Sequence, residues 1–376
     1  MAGIYIHIPF CKQACFYCDF HFSTSTKYQD EMVQALAKEL ELQKHILAND
    51  VIQTIYFGGG TPSLLSITQI NYLLETINKN YALASKLEIT LEANPDDLTQ
   101  EKLQALAQTP INRLSIGVQS FDDKTLLYMN RSHNARQALA SIKQAQNLGF
   151  ENITIDLIYG VPHISDAQWQ AELNQAFALQ VPHISAYALT VEPKTALASF
   201  IQKGKYKAID EDLALAHFNT LVSETKKQGF VQYEISNFGK PDFFSKHNTA
   251  YWQGKKYLGI GPSAHSFFDN TRMWNVANNI KYIKSLAENS IPNESEILSK
   301  TDLYNEYLMT QLRTIWGVNS NYIKTHFGDN YVDYFLKQSK KHLKQKTLVL
   351  MDDNYVLNQK GKFLADGIIS ELFYID

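Results

Sequence analysis

The sequence predicts an α/β fold, a partial or complete parallel β/α barrel followed by a small winged-helix-like α+β domain. Segments typical of strands and of helices alternate through the first two-thirds of the chain, which favours a parallel sheet with right-handed crossovers. A helix–Gly–Phe–strand pattern occurs at Gly149-Phe150 and again at Gly229-Phe230. After about Pro292 the pattern changes to helices followed by a hairpin. We therefore predict a barrel over 1–240, a connecting segment over 241–292 and a C-terminal domain over 293–376.

Short apolar runs predict the barrel strands, at 3–8, 52–57, 87–91, 113–118, 153–158, 184–189 and 231–235. The intervening helices are predicted at 28–47, 67–81, 100–108, 135–147, 165–179 and 211–227. Ser66 is the expected N-cap of the second helix, and Ser165 with Gln168 matches a capping box. A doubly wound open sheet is the alternative fold. In both folds, polar residues at the carboxyl ends of the strands form the site.

The C-terminal domain is predicted from helices at 302–315, 319–327 and 331–346, a hairpin at 347–357 and a closing helix at 359–373. The third helix carries several lysines, but Asp352 and Asp353 follow closely and offset their charge. We interpret the lysines as a solvated helix face. Together with a formal net charge of −3, this gives no reason to expect a nucleic-acid partner.

Cysteine usage and hydropathy indicate a reducing compartment. The chain has 376 residues and three cysteines, all of them between Cys11 and Cys18. Such a cluster is not a disulfide framework and favours a metal site. No run approaches the roughly 18 apolar residues that a membrane span requires. The residues after Met1 are typical of a strand and not of a signal peptide, so we expect a cytoplasmic protein without an integral membrane segment.

Cys11, Cys15 and Cys18 form a CxxxCxxC motif on a loop directly after the first predicted strand. Three thiolates at this spacing can converge on a 4Fe–4S cluster and leave one iron open. A zinc site that adds His7 or His21 is the alternative. The surrounding aromatic residues would shield a cluster from water.

The segment from Tyr5 to Cys11, YIHIPFC, followed by this motif, resembles the opening of the radical S-adenosylmethionine superfamily. The branch resembled is oxygen-independent coproporphyrinogen dehydrogenase and its heme-chaperone relatives. The resemblance covers most of the first 270 residues. It implies a radical S-adenosylmethionine type of barrel, a 4Fe–4S cluster on the three cysteines, an electron donor for that cluster and bound S-adenosylmethionine.

The resemblance also implies which residues hold S-adenosylmethionine. The Gly-rich turn after the second strand corresponds to the family segment that binds the methionine amino group. Glu92 is a candidate acceptor for ribose hydroxyls, and Arg131 could bind the methionine carboxylate. Asp156 is an acid within an apolar strand and therefore requires a partner. The complete predicted set is Tyr5, Tyr17, Gly59, Gly60, Thr61, Glu92, Gln119, Arg131 and Asp156.

Two departures separate this sequence from the dehydrogenase. That enzyme continues its cluster motif as CxC, whereas Phe20 stands at the corresponding position here. The enzyme also carries an arm before its first barrel strand, whereas the first predicted strand here begins almost at Met1. We therefore expect no coproporphyrinogen oxidase activity, although a radical oxidoreductase that acts on a porphyrinogen remains the alternative function.

A second motif, HNxxYW, spans His247, Asn248, Tyr251 and Trp252. It resembles the heme-binding motif of the HemW-type heme chaperones. Imidazole and phenolate are both axial ligands of heme iron, and in a helix His247 and Tyr251 share one face. His265, in a Gly-rich segment nearby, is a further candidate ligand. The resemblance implies a heme chaperone with heme and an apo-hemoprotein as partners, and it is compatible with a homodimer.

Overall fold

The structure, a computed structural model, describes residues 2–375. Its strands are β1 (Ala2–Ile8), β2 (Val51–Gly59), β3 (Ala82–Ala93), β4 (Arg113–Gln119), β5 (Asn152–Tyr159), β6 (His183–Ala188), β7 (Val231–Gln232), β8 (Asn237–Gly239), β9 (Lys256–Ile260), β10 (His265–Phe268), β11 (Thr271–Asn275), β12 (Asn293–Ile297), β13 (Val318–Asn319), β14 (Leu348–Met351) and β15 (Asn354–Leu357).

The α-helices are α1 (Gln29–Leu42), α2 (Ile67–Asn80), α3 (Gln100–Leu106), α4 (Asp123–Tyr128), α5 (Ala135–Asn147), α6 (Asp166–Ala178), α7 (Ala196–Gln202), α8 (Glu211–Lys227), α9 (Lys246–Trp252), α10 (Asn279–Ala287), α11 (Lys300–Gln311), α12 (Ser320–Phe327), α13 (Asp329–Lys344), α14 (Gln359–Phe363) and α15 (Ala365–Leu372). Short 3₁₀ helices cover Lys44–Leu47, Pro62–Leu64 and Pro95–Asp97. The capping boxes of α2 at Ser66 and of α6 at Ser165 have both reciprocal hydrogen bonds. None of the described helices is long and apolar enough to cross a bilayer.

The large sheet has twelve strands in the order β12-β11-β10-β9-β1-β2-β3-β4-β5-β6-β8-β7. The seven strands from β9 through β1 to β6 pair with one another in parallel. The pairs outside this run, β12-β11, β11-β10, β10-β9, β6-β8 and β8-β7, are all antiparallel. The order is linear, so the parallel strands form a partial barrel. This confirms the predicted parallel β/α barrel and shows that the barrel is partial, not complete.

The inner and outer faces of the barrel strands differ in chemistry because side chains alternate along a strand. In β1, Ile4, Ile6 and Ile8 are fully buried within the hydrophobic core. The intervening Tyr5 and His7 contact polar residues of the barrel interior. Barrel interiors are usually filled by branched apolar side chains. A polar interior therefore marks this barrel as a site for chemistry.

A second hydrophobic core lies in the C-terminal region, around Tyr304, Leu308 and Phe335. It is built from α11 to α13, α15 and a small sheet in the order β13-β15-β14. This order of helices and strands agrees with the predicted winged-helix-like α+β domain. The predicted boundary at 293 stays a prediction, and β12, which begins there, pairs with β11 of the large sheet.

Several predicted elements differ from the structure. The expected strand at 231–235 is reduced to two residues in β7, and the closing helix is divided into α14 and α15 at Leu364. Leu364 has ψ 18°, outside the helical range, which ends the first of the two helices. The predicted connecting segment, 241–292, contains three strands, β9 to β11, and two helices, α9 and α10.

Candidate functional site

A cavity of about 430 Å³ opens at the carboxyl ends of the parallel strands. All three cysteines line it, and each is partly exposed. Of the predicted S-adenosylmethionine residues, the structure brings eight to this cavity: Tyr17, Gly59, Gly60, Thr61, Glu92, Gln119, Arg131 and Asp156. The two predicted sets therefore share one cavity, at the edge of the sheet where the fold places a site.

The cysteine loop is bound on one side by the Gly-rich turn after β2. The amide of Gly60 donates to the Ile8 carbonyl at 2.9 Å, and the amide of Thr61 donates to the Phe10 carbonyl at 2.7 Å. A Cβ atom on Gly60 would lie 2.6 Å from the Phe10 oxygen, so only glycine permits this approach. These two amides therefore bind the cysteine loop, and the binding of the methionine amino group by this turn stays a prediction.

The segment between α4 and α5 holds the other side of the loop. The amide of Phe16 donates to the Met129 carbonyl at 3.1 Å. Asn130 accepts from the Gln13 side chain at 2.6 Å and donates to the Ala14 carbonyl at 2.7 Å. Hydrogen bonds on both sides therefore hold the loop in place.

The thiols have donors aimed at their sulfur atoms. Thr61 Oγ1 donates to Cys11 Sγ at 3.4 Å, and Arg131 Nη1 donates to Cys15 Sγ at 3.4 Å. Burial raises the pKa of Cys18 to about 11 and that of Cys11 above its usual value, so both thiols are neutral until a metal displaces their protons. Partly exposed thiols with such donors fit an iron–sulfur cluster.

The zinc alternative has no support in the geometry. Within residues 2–375, no three His, Cys, Asp or Glu side chains are arranged to hold one metal ion. His7 Nε2 is bonded to the His21 carbonyl at 2.8 Å, and His21 Nε2 lies 2.7 Å from Asn279 Oδ1. Each of the two candidate imidazoles is therefore engaged in a hydrogen bond, that of His21 with the first residue of α10. A 4Fe–4S cube binds each thiolate to a different iron and does not need the sulfurs to meet at one point.

Arg131 connects the cysteine loop to the strand ends. Its Nη2 donates to Asn94 Oδ1 at 2.6 Å and to the Gly117 carbonyl at 2.8 Å, and its Nη1 lies 3.5 Å from Tyr17 Oη. Its Nε is buried without a partner in the described chain. A guanidinium held in place with one free donor fits the binding of a carboxylate.

Two half-buried carboxyl groups face the cavity. Burial raises the pKa of Glu92 to about 7 and that of Asp156 to about 6. Glu92 accepts from Tyr56 Oη at 2.7 Å, and Asp156 lies 3.5 Å from Ser115 Oγ. The partner predicted for Asp156 is thus a serine hydroxyl. Both groups can accept hydrogen bonds from the hydroxyls of a bound ligand.

Tyr5 does not line the cavity, which departs from its predicted role. Its hydroxyl lies 3.2 Å from His7 Nδ1, and its ring stacks near Tyr56 at 6.1 Å. It therefore lies one layer below the cavity, inside the barrel. Gln119 does reach the cavity, on a backbone with φ 64° at the end of β4.

Sequence reasoning missed Asn94 and Tyr187, which also line the cavity. Asn94 follows β3 directly and accepts from Arg131. Tyr187 lies near the end of β6 and is 45% exposed. The rule that polar residues at the carboxyl ends of strands form the site could have found both.

The HNxxYW motif lies at the opposite end of the barrel, on α9. Glu88 accepts from the amides of Lys246 and His247, at 3.2 and 3.1 Å, and so caps the start of this helix. The His247 and Tyr251 rings contact each other at 4.8 Å, which confirms that they share a helix face. The structure therefore does not bring this motif to the cysteine cavity.

His247 is enclosed in the barrel and only 3% exposed. Its Nδ1 lies 2.7 Å from Thr54 Oγ1, and its ring stacks on Tyr56 at 5.0 Å. Burial lowers its pKa to about 3, so the ring is neutral. Its Nε2 has no partner in the described chain and no open path to a bound iron in this arrangement. The backbone amide of Asn248 donates to Ser245 Oγ at 3.3 Å. The backbone carbonyl of Trp252 accepts from the side chain of Gln311 at 2.6 Å.

Comparison with known proteins gives one consistent result. Residues 5–176 match the model of the radical SAM superfamily. The chain is 35% identical over 372 residues to the heme chaperone HemW of Bacillus subtilis, covering 98% of each chain. It is 33% identical over 376 residues to the heme chaperone HemW of Lactococcus lactis, covering 99% of this chain and 97% of the relative.

A solved structure has the same fold over almost the whole chain. Coproporphyrinogen III oxidase (HemN) from Escherichia coli superimposes with a TM-score of 0.85. The match covers 99% of this chain and 90% of that enzyme, at 22% sequence identity. At this identity the likeness establishes the barrel and the C-terminal region as a shared fold and carries no conclusion about activity.

Proposed function

Since this chain belongs to the radical S-adenosylmethionine superfamily and, within it, to the family of the heme chaperone HemW, we propose that it binds heme and delivers it to apo-hemoproteins. The observation that carries the proposal is the 35% identity to a heme chaperone over 98% of both chains. A relationship of that extent includes the barrel, α9 and the C-terminal region together.

The cysteine loop supports a chaperone over a porphyrinogen oxidase. Phe20, at the position where the oxidase motif has its additional cysteine, is 67% exposed at the cavity. An exposed phenyl ring cannot supply a thiolate or a proton. The oxidase alternative is supported by the shared fold alone.

The proposal includes a 4Fe–4S cluster on Cys11, Cys15 and Cys18, with S-adenosylmethionine beside it. Together these groups, when bound, supply one-electron chemistry. Arg131 would bind the carboxylate of the methionine moiety, and Glu92 would accept from the ribose hydroxyls. Gln119, Asp156 and Tyr17 complete the cavity wall. An electron donor for the cluster, a homodimer and a cytoplasmic location stay predictions.

A test is an anaerobic titration of the cluster-reconstituted protein with hemin, followed by mixing with apomyoglobin. We expect saturable heme binding seen as a Soret shift, and then the spectrum of holomyoglobin at a rate above that of free hemin. The same preparation should not consume coproporphyrinogen III. Absence of saturable hemin binding would overturn the chaperone proposal, and turnover of coproporphyrinogen would support the oxidase instead.

A further inference from the structure

The segment between β6 and α8 concentrates positive charge beside the cysteine loop. Positions 194–207 contain four lysines and no acidic residue, in a chain whose formal net charge is −3. The four are Lys194, Lys203, Lys205 and Lys207. All of them are exposed, and within residues 2–375 none of their ammonium groups forms an ion pair. Unpaired charge of one sign produces a local field that attracts a partner of the opposite sign.

This segment packs directly on the cysteine loop through Phe16, which lies inside the CxxxCxxC motif. The amide of Leu197, on α7, donates to the Phe16 carbonyl at 2.8 Å. The Phe16 and Phe200 rings meet edge to face with centroids 5.0 Å apart, and Phe200 is 5.3 Å from Tyr206. The ammonium of Lys205 lies 5.6 Å from the centroid of the Phe200 ring. Lysines of this segment therefore flank rings that contact the cluster-binding loop.

An exposed apolar side chain lies next to the same rings. The Tyr206 ring stacks on Tyr128, the last residue of α4, with centroids 4.2 Å apart. Leu127, which precedes it in α4, is 76% exposed. Lys124 is three residues earlier on the same helix face, and it is also exposed. The surface around the stacked rings, which we call the basic surface, consists of Leu127, Lys124, Lys203, Lys205 and Lys207.

The composition of the basic surface fits a transient protein partner of acidic character. Weak complexes between redox proteins bury little area, and charge complementarity mainly accelerates their formation. The lysines have no ion pairs to break when carboxylates of a partner approach them. A lipid surface or a nucleic acid would also be attracted by lysines, but neither can deliver an electron. Packing against the cysteine loop therefore favours a partner that exchanges electrons with that loop.

We propose that the basic surface is the docking site of an acidic one-electron carrier protein that reduces the 4Fe–4S cluster across the Phe16 side of the cysteine loop. This inference rests on the proposed function, because it requires the cluster, and it adds the place where the electron enters. The carrier is oxidised by one electron and the cluster is reduced by one, with no bond formed or broken. None of the five residues of the basic surface lines the cavity, so the carrier can dock while S-adenosylmethionine occupies its site.

The first test measures docking without any redox step. The cluster-reconstituted full chain in its oxidised form is titrated with oxidised flavodoxin, an acidic one-electron carrier, at low ionic strength by calorimetry. The variant carries Lys203→Gln, Lys205→Gln and Lys207→Gln together. We expect its Kd for flavodoxin to rise at least about tenfold and to depend less on salt than that of the wild type.

The matched control removes the same charge from α13, through Lys337→Gln, Lys340→Gln and Lys344→Gln. These lysines are also exposed, and in the part of the chain that the structure describes they form no ion pair. The control should bind flavodoxin as the wild type does. Equal affinities in the two triple variants would overturn the docking site, as would failure of the wild type to bind flavodoxin.

The apolar centre of the basic surface has its own pair of variants. Leu127→Glu should weaken flavodoxin binding, because it places a carboxylate in the middle of the interface. Leu350→Glu, at a 56% exposed position of β14, should leave the affinity unchanged. Wild-type affinity in Leu127→Glu would remove α4 from the docking site and overturn the surface as defined.

Reduction of the cluster gives a second readout. Stopped-flow mixing with flavodoxin hydroquinone should show slower cluster reduction in the lysine variant, whereas photoreduced deazaflavin, a small uncharged reductant, should reduce both proteins equally fast. Equal slowing with both reductants would overturn the proposal, because the variant would then have altered the cluster and not the docking. Unchanged flavodoxin binding together with loss of retention on phosphatidylglycerol vesicles would assign the lysines to a membrane and overturn it as well. A wild-type chain that assembles no cluster would instead overturn the cluster of the proposed function.

Discussion

The two ends of the barrel differ in how far their polar residues are exposed to solvent. At the carboxyl end, three cysteines and two carboxyl groups, all partly exposed, surround an open cavity. At the other end, α9 closes the barrel and His247 is only 3% exposed. Tyr56 connects the two, because it stacks on His247 and donates to Glu92. The difference teaches that a binding motif in a sequence does not specify which of its side chains faces solvent.

The largest effect is expected from Cys15→Ala. Loss of one thiolate should abolish the cluster, seen as loss of iron and of charge-transfer absorption, because only two thiolates of the motif then remain. If the two ends act separately, the hemin Kd of this variant stays within about twofold of the wild type. A hemin Kd raised more than about tenfold would show that the ends are coupled.

Arg131→Met should weaken S-adenosylmethionine binding by about 10–100-fold, because a charge-assisted contact contributes about 1.5–3 kcal/mol. Iron content should remain, since the loop keeps its contacts with the Gly-rich turn and Asn130. Isothermal calorimetry on the reconstituted protein measures this loss. Arg136→Met, an exposed arginine of α5, is the matched control. Equal affinities in the two variants would remove Arg131 from the site.

At the closed end, Glu88→Gln should destabilise the protein by about 1–2 kcal/mol, because the capping charge at the start of α9 is lost. Denaturant unfolding measures this, with Glu75→Gln on the exposed face of α2 as control. Hydrogen exchange at the His247 amide should quicken in the same variant. Unchanged exchange would mean that Glu88 does not hold the helix.

The smallest expected effect is on the pH dependence of folding stability. The sign of this dependence differs between the two ends of the barrel. Glu92 binds its proton more tightly in the folded state, with its pKa raised from 4.5 to about 7, so it lowers stability as pH rises through that window. His247 has its pKa lowered from 6.5 to about 3, so it lowers stability as pH falls below 6.5. The two contributions oppose each other near pH 5–6.5.

Single variants separate the two contributions. Glu92→Gln should make the unfolding midpoint rise more steeply between pH 5 and 7, by about 2–4 °C over that range. His247→Gln should change the slope in the opposite direction. Identical pH profiles in the two variants would contradict the assigned protonation states.

The barrel was predictable because its parallel strands are continuous apolar runs whose signal needs no tertiary context. The cavity was predictable from the alternation of strands and helices. In a parallel sheet, cysteines and acids that follow the strands lie at the same edge. Strands β10 and β11 were missed because their residues alternate between the two sides of an arm and lie among glycines and turns. β12 gave no signal because all five of its residues are exposed.

The position of His247 was not predictable from its motif. The spacing of HNxxYW correctly placed His247 and Tyr251 on one helix face. Which way that face turns depends on Thr54 and Glu88, which are 193 and 159 residues away in the sequence. A local sequence pattern carries no information about contacts between residues so far apart in the sequence.

The exposed strand β12 ends the large sheet with unpaired backbone groups, which invites another strand to add by hydrogen bonding. Its sequence, NESEI, places Glu294 and Glu296 on one side of that edge. A second copy approaching in antiparallel register would bring carboxylates against carboxylates. The same acids thus protect the edge of the sheet from ordered aggregation.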